Sequence, residues 1–151
     1  MLENLTCFGK TTDTYEKVEH TPFGIDLGTT NSAISVAKNK HGAEIITLVN
    51  GKHTMPSVIA WRGGDHFLVG EEAFDADVDD SVVKSVKRYM QDPHKVITLK
   101  YNGEEKIMTP TEVSAEILKG LVKQTGGTYG EVKDVVVTVP AYFNQTGINN
   151  T

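Results

Sequence analysis

The sequence predicts an α/β fold, a layer of sheet and helix interrupted by a mixed inserted subdomain. Three observations carry that prediction. A period-two strand near the start is followed by two more across short turns. A capped amphipathic helix stands late in the chain. Behind it comes DVVVTV, an apolar run of the kind a strand covered on both faces shows.

Residues 1–20 are polar and without period, and read as a loose leader. Order is expected from Thr21. Phe23, Ile25 and Leu27 alternate with Gly24 and Asp26, which is strand periodicity. SAISVA and then EIITLV follow across the turn KNKHG, and turns this short make antiparallel neighbours. Asn50-Gly51 marks a turn. Pro56 opens SVIAW, and HFLVG follows Gly63-Gly64 as a further strand. EEAF and VVKSVKRYM then suit helices. VITLKY and EEKIM form a hairpin about Asn102-Gly103. Thr109, Pro110 and Glu112 spell a capping box with proline at the first helical position. Val113, Ile117 and Leu121 make the helix's apolar stripe, and Gly126-Gly127 ends it. Pro140 stops the last strand.

Length and charge bound the function. The chain has 151 residues, one domain's worth, with 15 Lys+Arg against 20 Asp+Glu and a net charge of -5. That balance argues against non-specific nucleic-acid binding, which needs a basic face. No apolar run reaches membrane-spanning length, and the first residues do not read as a secretory signal. A lone Cys7 excludes an internal disulfide framework and fits a reducing compartment. The expectation is a soluble, cytoplasmic protein that binds neither membrane nor nucleic acid.

The chemistry concentrates in FGIDLGTTNS. Asp26 falls late in an apolar strand, on the face opposite Phe23, Ile25 and Leu27. A carboxylate there is costly unless it is paired, hydrogen-bonded or neutralised by a metal. Gly28 lets a ligand approach the backbone, while Thr29, Thr30 and Asn31 offer N–H groups, hydroxyls and an amide to phosphate oxygens. One reading is a phosphate clamp with Asp26 holding hydrated Mg²⁺. The other is an ordinary polar turn, with Asp26 bonded to its own loop. The residues alone leave both open.

GIDLGTTNS resembles the first phosphate motif of the actin-like ATPases, and its Thr-Thr-Asn form is similar to the heat-shock protein 70 (DnaK-type) chaperones. VNGKHTMPSVIAW resembles that family's glycine turn and "TPS" strand. Val69-Gly70-Glu71-Glu72-Ala73 is similar to its "VGE-A" segment, and SVKRYM to its Lys-Arg helix. TPTEVSAEILKGL followed by DVVVTVPAYFN repeats its helix, strand and "VPAYF" in order. The resemblance covers roughly residues 21 to 145. It implies an actin-like ATPase (ribonuclease H-like) fold, first lobe only. Residues 21–57 and 111–151 would form the core subdomain and residues 58–110 the inserted one.

The resemblance also implies roles. Asp26 would coordinate Mg²⁺ through water, and Gly28, Thr29, Thr30 and Asn31 would contact ATP or ADP phosphates. Lys87 would reach the γ-phosphate and position the attacking water, a point charge against developing phosphoryl charge. Without the resemblance Lys87 reads as a solvated helix residue. Pro140 would report nucleotide state to the rest of the chaperone, or is simply a strand terminator. In the family, ATP turnover drives cycles of grip on unfolded client polypeptides by a separate peptide-binding domain, with a J-domain co-chaperone and a nucleotide exchange factor.

Two departures stand out. Ile148 occupies the place where the family carries an arginine, and by the resemblance the family's second phosphate loop, adenosine pocket and peptide-binding domain would lie beyond Thr151. A non-catalytic truncated or excised module is therefore the alternative, and a sugar kinase of the same fold a more distant one. The short insert before TPTEVS and the leader are similar to the iron–sulfur-assembly branch. Other signals fail. Gly9-Lys10-Thr11 has Asn4 where a P-loop needs glycine. Asp75, Asp77 and Asp79 start like a calcium loop, but Asp80 replaces the turn glycine and Val86 the closing Glu. The five histidines lack metal spacing.

Overall fold

A computed structural model describes residues 22–38, 42–76, 79–92, 94–139 and 143–151. The leader, Asp77 and Pro140 lie outside the described residues. Strand β1 (Phe23–Leu27) starts the main sheet and pairs antiparallel with β2 (Asn31–Ala37). β2 pairs in turn with β3 (Ala43–Ile45) and, at its other end, with the two-residue β4 (Met55–Pro56). The expected third strand is shorter than its apolar run. Beyond Ile45 the Ile46 N–H still donates to the Ile34 carbonyl of β2, and past that bond the chain departs, with Ile46 and Leu48 buried in the core.

A second sheet is built on β5 (Val58–Trp61), flanked by β6 (Phe67–Val69) and β7 (Val82–Lys84). Between them lies one helical turn, α1 (Glu71–Phe74). VVKSVKRYM is thus not the helix its sequence suggests. Val82 and Val83 are β-branched and find a partner strand in β5, so the first part is extended. Ser85 then turns the chain in the left-handed region (φ 58°), and Val86–Tyr89 forms a short 3₁₀ helix. Tertiary pairing overrides the local helical pattern.

The hairpin β8 (Ile97–Tyr101) and β9 (Glu104–Met108) forms as expected. Asn102 and Gly103 both have positive φ, the geometry of a type I′ turn. Helix α2 (Pro110–Lys123) begins at the expected box: Thr109 Oγ1 accepts from the Glu112 N–H, and the Glu112 carboxylate accepts from the Thr109 N–H. Val113, Ile117 and Leu121 are fully buried against both sheets.

The last strand, β10 (Val135–Thr138), pairs parallel with β1 at the edge of the main sheet. It is not covered on both faces in this chain. Val135 and Val137 pack on the core, while Val136 remains 58% exposed. A short helix, α3 (Gln145–Asn150), follows, with Asn144 capping the Gly147 N–H. Ile148 lies on it, half-exposed.

Candidate functional site

Strand periodicity puts Asp26 on the solvent side of β1, between buried Ile25 and Leu27. The chain then turns at once through Gly28, Thr29 and Thr30 into β2. The turn is tight enough that a Cβ on Gly28 would fall 2.0 Å from the carbonyl oxygen of Asn31. Only glycine fits, because backbone rather than a movable side chain occupies that space. Thr30 is held through its own carbonyl, which accepts from the Ser57 N–H at 2.8 Å. Beneath the turn the Ser32 and Ser57 hydroxyls share a buried hydrogen bond. Thr30 and Asn31 are exposed and Thr29 is partly so, leaving their polar groups open beside Asp26.

Two further residues converge on the end of β1. Thr138 is the parallel-register partner of Asp26, and its hydroxyl donates to the Asp26 carboxylate at 2.8 Å. Lys87, from the 3₁₀ turn after β7, is 5% exposed. Its Nζ donates to the main-chain carbonyl of Leu27, the residue next to Asp26. The ring of Phe143 lies 6.0 Å from that ammonium. Burial pushes the Lys87 ammonium below the ordinary lysine range, and the Asp26 carboxylate draws it partly back up. Lys84 and Arg88 are exposed on either side, so the solvated reading suits them and not Lys87.

The fold therefore brings together Asp26, Gly28, Thr29, Thr30, Asn31 and Lys87. Pro140 lies outside the described residues. Sequence reasoning missed Thr138 and the Leu27 carbonyl. A threonine ending an otherwise apolar VVV run was a signal for the first; a main-chain acceptor leaves none. Among the described residues, no group of three or more His, Cys, Asp or Glu could hold a metal by itself. A lone exposed carboxylate beside two hydroxyls fits Mg²⁺, which keeps several waters and takes one or two carboxylates plus substrate phosphates. Among the described residues, no helix is long and apolar enough to cross a membrane.

Residues 22–151 match the family model described as Hsp70 protein. The chain is 41% identical over 124 residues to the chaperone protein DnaK of Thermosipho melanesiensis, and 43% identical over 125 residues to that of Thermosipho africanus. It is 41% identical over 124 residues to the chaperone protein DnaK of Thermotoga neapolitana. Each match covers 80% of this chain and 20% of the relative, so the chain spans about a fifth of their length. Its mixed sheets and few helices are those of a partial actin-like ATPase domain, and the chain belongs to the heat-shock protein 70 family.

Proposed function

We propose that this chain supplies one wall of an ATP site, with Mg²⁺ and the phosphates held at the end of β1. The observation that supports this best is the convergence of Lys87 and Asp26 on either side of Leu27, where the Gly28 turn begins. In this reading the N–H groups of Thr29, Thr30 and Asn31, the two threonine hydroxyls and the Asn31 amide bind phosphate oxygens. Asp26 steadies the hydrated metal, oriented by Thr138. The metal, when bound, neutralises charge between phosphate oxygens. Lys87 presents a buried positive charge to the transferred phosphoryl group, where low dielectric strengthens its effect. Pro140, following β10, transmits the nucleotide state.

The wider role follows from the family. In the longer proteins it resembles, the site drives a chaperone cycle on unfolded clients in the cytoplasm, assisted by a J-domain partner and an exchange factor. Residues 21–57 and 111–151 make the core subdomain of this wall, and residues 58–110 the inserted one.

The decisive test is a chimera in which this chain replaces the matching segment of the Thermosipho africanus DnaK. Single-turnover ATP hydrolysis should survive the replacement and fall about 100-fold or more in Lys87→Met. Hydrolysis unchanged by that substitution would leave a non-catalytic module as the better account.

A further inference from the structure

Two strand edges face each other across an open groove of about 540 Å³. Val82, Val83 and Lys84 of β7 line one side, and the consecutive residues from Val96 to Lys100 line the other. Side chains of a strand alternate between faces, so consecutive residues line a groove only where the strand's edge runs along it.

The ladders say which main-chain groups point into that space. In a two-residue hairpin the pair flanking the turn is hydrogen-bonded and the pairs alternate from there. Tyr101, Leu99 and Ile97 thus bond to β9, and Thr98 and Lys100 direct their N–H and C=O groups outward. On the facing side, Gly70 donates to the Val58 carbonyl and Arg62 to the His66 carbonyl, so Val58, Ala60 and Arg62 face β6. Ile59 then faces Val83, which leaves the main-chain groups of Val82 and Lys84 turned outward. Among the described residues, no backbone hydrogen bond is made to these outward groups of Val82, Lys84, Thr98 and Lys100. Unpaired edges of this kind are templates for an added strand.

Charge gives the occupant its chemistry. Lys84, Lys95 and Lys100 surround the groove against one carboxylate, Asp80. Lys100 is paired with Glu105 at 3.0 Å. Lys84 and Lys95 lie instead over the rings of Phe74 and Tyr89, at 4.9 and 4.8 Å, with no ion-pair partner among the described residues. A second copy of the chain would oppose lysines to lysines here. We propose that the groove takes an extended, carboxylate-rich peptide segment of a partner protein, which adds as a strand to the free edge of β8 and sets its acidic side chains against Lys84 and Lys95.

The test uses the whole chain and a fluorescein-labelled Glu-Thr-Glu-Val-Glu peptide, followed by anisotropy without nucleotide. Saturable binding that weakens with salt is expected, with added hydrogen-exchange protection at the Thr98 and Lys100 amides. Thr98→Pro removes one outward N–H and no bond to β9, and should weaken binding about tenfold. Lys95→Glu, a surface change that tests the charge without touching the ladder, should do the same. The Lys-Thr-Lys-Val-Lys peptide should not bind. Absence of binding up to about 1 mM would overturn the proposal. So would equal binding of an N-methylated acidic peptide, which keeps the charge and cannot pair as a strand. Sedimentation showing a dimer that Thr98→Pro abolishes would assign the edge to a second copy instead.

Discussion

Thr138 and Asp26 lie 112 residues apart, yet the Thr138 hydroxyl donates to the Asp26 carboxylate at 2.8 Å. The parallel pairing of β10 with β1 sets that contact, since the two residues are register partners. It fixes the direction of the carboxylate that would face a metal. In the chimera, Asp26→Asn should weaken Mg²⁺-dependent hydrolysis more than nucleotide binding, because shape is kept and charge is lost. Thr138→Val should reduce metal affinity about tenfold, and Thr138→Ser should restore it. Mn²⁺ titration followed by electron paramagnetic resonance, beside a hydrolysis assay, separates the two. Identical curves for Thr138→Val and the parent would remove Thr138 from the site.

Lys87 is the sharper case. Methionine in its place keeps much of the volume and removes a buried charge, while leaving the Leu27 carbonyl without its donor. These effects oppose one another, so Lys87→Met should move stability by no more than about 1 kcal/mol. A denaturant melt of the chain checks this independently of activity. Because burial lowers the Lys87 pKa from 10.5, the folded state holds this proton less tightly than the unfolded state. Its unfavourable contribution is present at neutral pH and fades as pH rises through the lowered value toward 10.5. The stability gap between Lys87→Met and the parent should shift in the parent's favour over that window.

Gly28 tolerates no side chain. Since the obstructing atom is the Asn31 carbonyl oxygen, Gly28→Ala must displace the turn itself. A loss of about 3 kcal/mol is expected, near the top of the range for forced overpacking. A chemical denaturation midpoint equal to the parent's would mean that the turn has another conformation.

Ser85 holds a left-handed conformation with no capping bond from its side chain. Glycine adopts that geometry without steric cost, so Ser85→Gly should stabilise the chain by about 0.5 kcal/mol after its extra unfolded-state entropy. Ser85→Val should do the opposite. The pair of melting curves gives the sign directly.

At the start of α2, the Thr109 main chain and then its hydroxyl hold the Glu112 carboxyl below its ordinary value of 4.5. A depressed carboxylate stabilises the fold above its unfolded pKa and loses that contribution as pH falls. The acid-induced loss should begin below about pH 4.5 and be shallower in Glu112→Gln. At neutral pH, Thr109→Ala should cost about 1 kcal/mol.

Much of this was legible in order along the chain. The alternation of Phe23, Ile25 and Leu27 gave β1 and the face of Asp26, and Thr109 with Glu112 gave the start of α2. Asn102-Gly103 gave the hairpin turn. What failed was whatever depended on a distant partner. Val82–Lys84 became a strand because β5 was there to receive it. The apolar DVVVTV run reads as covered on both sides, but β10 ends the sheet and leaves Val136 open. On its residues alone Lys87 looked like one of several solvated lysines; the resemblance set it apart from Lys84, and the fold buries it against the Leu27 carbonyl. Thr138 needed the β1–β10 register, which no local pattern encodes.

The partner of Lys87 is a main-chain oxygen, and this matters for how the site can vary between relatives. A side-chain acceptor can be lost by one codon change; a peptide carbonyl cannot. Position 27 is therefore free to drift among apolar residues of similar bulk without disturbing the lysine. The burden of preservation falls on the path of the backbone, and so on Gly28 and the pairing of β1 with its neighbours. Sequence comparison that scores side chains alone will overlook half of this contact.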